Sequence, residues 1–164
     1  MKNEFKWAVI MSVVLLVWLT LLKFLGFQEA DKADLFVIVV NAYYLLLFGM
    51  YLLAINERRR KQNGYITRRD AFLTGLLVTL FLVVLSPLNM AIFYYLINPN
   101  FFDVMISVSI ENGVSEQVAQ GDYNLYSYIF SSIVMNLVAG GVFSALGAVL
   151  LQKIPNKQQY EPLA

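Results

Sequence analysis

The sequence predicts an all-α integral membrane bundle: four transmembrane helices, with a short amphipathic outer helix between the third and the fourth. Three observations predict it. First, 59% of the 164 residues are hydrophobic and 14% are charged, where a soluble domain has roughly 45–50% and about a quarter. Second, the apolar residues gather in four uncharged runs near or above the roughly 18 residues that a bilayer crossing needs. Third, the basic residues collect on one side of those runs and the acidic residues on the other. Lipid offers the backbone no hydrogen-bond partner, so a spanning segment is a helix or a strand of a closed barrel. The runs are continuous and lack the two-residue alternation of barrel strands.

The spans fall at about 6–27, 34–56, 70–97 and 124–152, in a single domain over residues 1–154. In the first, Trp7 to Leu22 is uncharged, and snorkelling of Lys23 lengthens the span to Phe27. It reads as a retained anchor, because Leu25-Gly26-Phe27-Gln28-Glu29-Ala30 holds no A-x-A-like cleavage site. A short acidic loop, Gln28 to Asp34, makes the first two spans an antiparallel pair. The second run, Leu35 to Asn56, has 22 uncharged residues. As a helix it covers about 33 Å, close to the hydrocarbon thickness of roughly 30 Å.

The inner loop, 57–69, carries Arg58, Arg59, Arg60, Lys61, Arg68 and Arg69, expected to touch anionic headgroups. Asn63-Gly64 suits a left-handed helix stop. Thr67-x-x-Asp70, directly before an apolar run, is a capping-box signature. The third run, Ala71 to Phe102, is interrupted by Pro87, expected to kink the helix, with Ser86 helping to satisfy the freed carbonyl.

The outer loop, 98–123, is too long for a simple turn. Asn98-Pro99 looks like an N-cap followed by a first-turn proline. Asp103, Ser107 and Glu111 then recur on one helix face, while Phe101, Phe102, Met105 and Ile106 face elsewhere. This pattern suits an amphipathic helix on the outer surface, although the alternation over Ile106–Ile110 also fits a strand. Asn112-Gly113 closes it, and Ser115 caps a further turn ending at Gly121. Aromatic residues near the outer ends, Phe93, Tyr94, Tyr95, Phe101, Phe102, Tyr123, Tyr126 and Tyr128, read as an interfacial girdle. The fourth run is Tyr123 to Gln152, and residues 155–164 read as a mobile polar tail.

The formal charge is only +1, but its division orients the helices. With the N-terminus inside, ten of the twelve bases and four of the eleven acids lie inside, a net +6; the outer segments hold −5. The positive-inside rule then places both termini in the cytoplasm.

The composition also excludes chemistry. There is no His and no Cys, so no imidazole or thiolate metal site, no disulfide and no Ser–His or Cys nucleophile pair is available. A charge of +1 does not suit a nucleic-acid binder. No cofactor is implied. The carboxylates are scattered, which disfavours a lipid-modifying enzyme.

Within the spans no Asp, Glu, Lys or Arg lies deep, which disfavours ion-coupled transport. The remaining polar residues Asn41, Asn89 and Asn136 read first as interhelical hydrogen-bonding groups and second as the lining of a polar path. Span four carries Ser132, Asn136, Gly140, Ser144 and Ala148 at four-residue intervals, with Gly141 and Ala145 beside them. Small residues at this spacing let helix backbones approach closely. The stripe is expected to pack first against another span of this chain, with a second copy or another membrane protein as the alternatives.

Several segments carry a family resemblance. They are Gln62-Asn63-Gly64-Tyr65-Ile66 leading into Ala71-Phe72-Leu73-Thr74-Gly75; Ile97-Asn98-Pro99-Asn100-Phe101-Phe102-Asp103; Gly113-Val114-Ser115-Glu116-Gln117-Val118; and Gly140-Gly141-Val142-Phe143-Ser144-Ala145-Leu146 ending at Lys153. In this order they resemble the Bacteroidota membrane proteins of domain-of-unknown-function family 4199, and they cover nearly the whole chain. The resemblance implies a four-span bacterial inner-membrane protein and assigns no activity and no site residues. Beyond the lipid bilayer, the expected partner is a second copy or another membrane protein. The function expected is that of a non-catalytic accessory or scaffold subunit acting through helix–helix packing. The alternative is a small oligomeric transporter or channel for a small solute, with Pro87 as its hinge.

Overall fold

A computed structural model describes residues 1–154, and the expected tail at 155–164 lies outside the described residues. The elements are α1 (Lys2–Phe24), a 3-10 turn (Ala30–Lys32), α2 (Ala33–Lys61), α3 (Arg68–Ile92), a π-helical turn (Phe93–Ile97), α4 (Phe101–Glu111), α5 (Glu116–Asp122) and α6 (Leu125–Leu151). The chain is all-α, and α1, α2, α3 with its π turn, and α6 are each long and apolar enough to cross a membrane.

Local sequence explains where the helices stop and start. Helix α2 continues five residues beyond Asn56, because nothing from Glu57 to Lys61 breaks a helix and four bases suit the negative end of its dipole. It ends where Asn63 and Gly64 both take positive φ, 57° and 83°, and the Gly64 N–H returns to the Arg59 carbonyl at 3.0 Å. Three residues later Thr67 caps α3, its Oγ1 accepting the Asp70 N–H at 3.1 Å.

Helix α3 stays helical through Pro87. The proline frees the Val83 carbonyl, but the Ser86 hydroxyl donates to Leu82, one residue earlier, at 2.9 Å. Ser86 therefore does not repair the proline break. The expected cap at Asn98 is also displaced. Helix α4 begins two residues later, behind Asn100, which makes no side-chain cap bond. Asn98 instead donates through Nδ2 to Gln28 Oε1 at 2.7 Å, and the buried Gln28 donates to the Leu19 carbonyl at 2.8 Å. This latch, with Lys23 Nζ donating to the Ile97 carbonyl, ties the end of α1 to the π turn.

Helix α3 is the most buried of the four spanning helices. It packs most extensively against α6 and next against α1. The outward faces are mostly apolar: Val37, Ile38 and Leu45 of α2 and Phe130, Val138 and Val142 of α6 are all exposed, as a lipid-facing surface requires. The bundle has a basic end and an acidic end. At the basic end the inter-helix loop is stitched to the end of α6, where Ile66 and Lys153 exchange two backbone hydrogen bonds, both 2.9 Å. At the acidic end α4 presses onto the bundle through Phe101, Phe102 and Met105, all buried, while Asp103, Ser107 and Glu111 are exposed.

Candidate functional site

The most extensive helix–helix contact in the bundle is the seam between α3 and α6, with α2 alongside. It exists because glycines and hydroxyl residues meet there. A Cβ added to Gly75 would fall 2.7 Å from the Ser144 Cβ. One added to Gly140 would fall 2.5 Å from Thr79 Cγ2 and 2.7 Å from the Tyr51 hydroxyl. At Gly147 it would meet Ile55 Cδ1 at 2.6 Å. Gly140, Ser144 and Ala148 are thus buried inside this chain. Tyr51 and Thr79 share a hydrogen bond of 2.8 Å across the same seam.

The small-residue stripe divides. Gly141 has nothing within 4 Å of a Cβ position, and Ala145 is exposed. Neither takes part in the seam, which corrects the sequence expectation for both. Adjacent residues on a helix point about 100° apart, and only one of two neighbouring small stripes can face α3. Ser132 is half-buried and turns its hydroxyl back to the Ile129 carbonyl at 2.8 Å, so it bonds within its own helix.

The three intramembrane asparagines have different roles. Asn89 donates to Ser12 Oγ at 3.1 Å, joining α3 to α1. Asn136 donates to Ser86 Oγ at 2.8 Å, joining α6 to α3. Asn41 is exposed and donates to the Val37 carbonyl of its own helix at 2.6 Å. It is not an interhelical group, because its position on α2 faces outward and the nearest acceptor is its own backbone. Tyr43 adds a link that the asparagines did not reveal, its hydroxyl donating to the Met11 carbonyl at 3.0 Å.

Towards the acidic end a cleft of about 330 Å³ opens, with residues of α1, α2, α3 and α6 on its walls. Phe36, Tyr43, Phe93, Tyr128 and Asn136 contribute to it, and Phe101 of α4 reaches in. The Phe101 ring lies 5.4 Å from Phe36, 5.1 Å from Phe93 and 5.7 Å from Tyr128. Phe93, Phe101 and Phe102 are therefore buried packing residues rather than members of an interfacial girdle. Tyr95 and Tyr126 are exposed as a girdle requires.

At the basic end, Glu57 gathers Lys6 at 2.6 Å, the Trp7 indole N–H at 2.7 Å and Lys61 at 2.8 Å. The buried Glu4 lies 2.7 Å from the terminal ammonium and 3.9 Å from Arg58. Arg59 reaches the Leu151 carbonyl at 3.4 Å, and Lys61 also reaches Asn3 Oδ1 at 3.0 Å. Three of the six residues expected at headgroups, Arg58, Arg59 and Lys61, are thus engaged by the protein itself. Among the described residues Arg60, Arg68 and Arg69 have no ion pair or side-chain hydrogen bond. No group of three or more carboxylates among the described residues is placed to hold a metal ion.

A family model for proteins of unknown function matches residues 6–153. The chain belongs to this family, DUF4199. Neither the comparison with curated proteins nor that with solved structures finds a match. The DUF4199 match takes in the seam, the cleft and the basic loop together.

Within this DUF4199 chain the residues that sequence reasoning missed are mostly the receiving sides of contacts: Gly75, Thr79 and Ser12, together with Tyr43 and Tyr51. One signal was present. Gly75-x-x-x-Thr79 is a small-residue pair at helical spacing on α3, the complement of Gly140-x-x-x-Ser144 on α6.

Proposed function

We propose that this DUF4199 protein is a non-catalytic accessory or scaffold subunit of a bacterial inner membrane, with both termini cytoplasmic. The observation that carries the reading is the use made of its polar groups. Asn89, Asn136, Tyr43, Tyr51 and Thr79 each bond a neighbouring helix. The bundle interior is built for cohesion, so contact with a partner falls to its outside. The basic end meets the anionic cytoplasmic leaflet, in keeping with the positive-inside rule.

The outer surface best suited to a partner is the α4–α5 connector. Its aromatic side is fixed to the bundle, and Asp103, Ser107 and Glu111 point outward from that firm base. A basic segment of another membrane protein has the matching charge. Purification in mild detergent tests this reading. A stoichiometric partner should co-purify, and Asp103→Lys with Glu111→Lys should reduce its recovery. A clean monomer whose reconstitution into liposomes gives solute flux, abolished by Asn136→Leu in a folded protein, would replace the scaffold with the transporter.

A further inference from the structure

We propose that the groove between the start of α3 and the end of α6 is a binding site for an anionic phospholipid. It goes beyond the scaffold reading and does not depend on it. The groove has a volume of about 480 Å³ and is formed by Arg68, Arg69 and Phe72 of α3 with Ala145, Ala148 and Val149 of α6. That volume falls in the range of small-molecule sites, roughly 300–1,000 Å³.

The two kinds of lining match the two parts of a phospholipid. Arg68 and Arg69 are the first two residues of α3, and their two charges outweigh the one acid of that turn, Asp70, so the positive end of the helix still favours an anion. Both are exposed and without a partner among the described residues, whereas Arg58, Arg59, Lys6 and Lys61 are held by protein groups. The remaining lining is apolar and low. Ala145 and Ala148 give a shallow floor between Phe72 and Val149. One helical turn further into the membrane Gly141 keeps the same face open. A phosphate at the arginines leaves an acyl chain lying along Ala145 and Gly141.

A second copy of the chain is the competing occupant, because Gly141-x-x-x-Ala145 is a small-residue pair of the kind that joins helices. A two-fold axis normal to the membrane at this face would bring the Arg68 and Arg69 pairs of both copies together. Like charges disfavour that arrangement, and a phosphate relieves it.

Native mass spectrometry of the full chain in mild detergent, titrated with phosphatidylglycerol or phosphatidylcholine, tests the proposal. Phosphatidylglycerol should be retained in preference. Arg68→Gln with Arg69→Gln should weaken its binding about thirtyfold, taking the usual contribution of each base near anionic lipid. Ala145→Phe should displace the chain and weaken binding while the arginines remain. Arg60→Gln removes another exposed base, one outside the groove, and should change binding little. Circular dichroism and thermal melting of each variant show that the fold is kept. Equal losses for Arg60→Gln and the Arg68/Arg69 variant would overturn the site in favour of diffuse charge attraction. A dimer dispersed by Ala145→Phe would assign the groove to a second copy.

Discussion

Replacing Gly140 by alanine sets two effects of opposite sign against each other. Helix propensity favours alanine over glycine by roughly 1 kcal/mol. The seam opposes it, because the new Cβ would meet Thr79 Cγ2 at 2.5 Å and the Tyr51 hydroxyl at 2.7 Å. Overpacking a close-packed site costs about 1–3 kcal/mol. Prising apart the Tyr51–Thr79 hydrogen bond adds about 0.6 kcal/mol, the average for such bonds in a membrane. The net expectation is a loss of about 0.6–2.6 kcal/mol. At Gly141 nothing lies within 4 Å, so Gly141→Ala carries only the propensity term and should be neutral or slightly stabilising. Reversible unfolding in mixed micelles of denaturing and mild detergent, followed by circular dichroism, measures both variants. Adding Thr79→Ala to Gly140→Ala should restore part of the loss. Equal stability of Gly140→Ala and Gly141→Ala would refute the close approach of α3 and α6.

Other expectations follow from the same contacts. Asn136→Leu and Ser86→Ala should show a coupling of about 0.6 kcal/mol in a double-mutant cycle, whereas Asn41→Leu, on the lipid face, should leave stability unchanged or improve it. Phe101→Ala empties a fully buried site at the cleft; it should cost about 3 kcal/mol and hasten proteolysis of the α4–α5 connector, read by limited digestion in detergent. Thr67→Ala removes the cap of α3 and should lower stability by about 1 kcal/mol, while Thr67→Ser should retain most of it.

The fold class was legible because bilayer thickness leaves few ways to place long uncharged runs. The end of α2 and the start of α3 were legible because Asn63-Gly64 and Thr67-x-x-Asp70 act through neighbouring backbone. Long-range choices were not. Gly140 and Gly141 are the same residue side by side, and only the position of Thr79 and Tyr51 decides which one is buried. Asn98 precedes a proline as a cap would, yet Gln28, seventy residues away, captures its side chain. Likewise the aromatic residues at the acidic end obey the composition of a girdle, and α4 converts three of them into a buried cluster. The basic loop was recognisable as charge. Its division into protein-bound Arg58, Arg59 and Lys61 and unpaired Arg60, Arg68 and Arg69 depends on the carboxylates and carbonyls that fold brings near.

The central claim is that the polar and small face of α6 binds α3 of the same chain. The sequence has no cysteine, so Ser86→Cys with Asn136→Cys gives a clean cross-linking pair at the Asn136–Ser86 contact of 2.8 Å. Oxidation in native membranes should yield a cross-link within one chain, seen as a monomer of altered gel mobility that reverts on reduction. A disulfide-linked dimer, or no cross-link while an exposed control pair reacts, would contradict it.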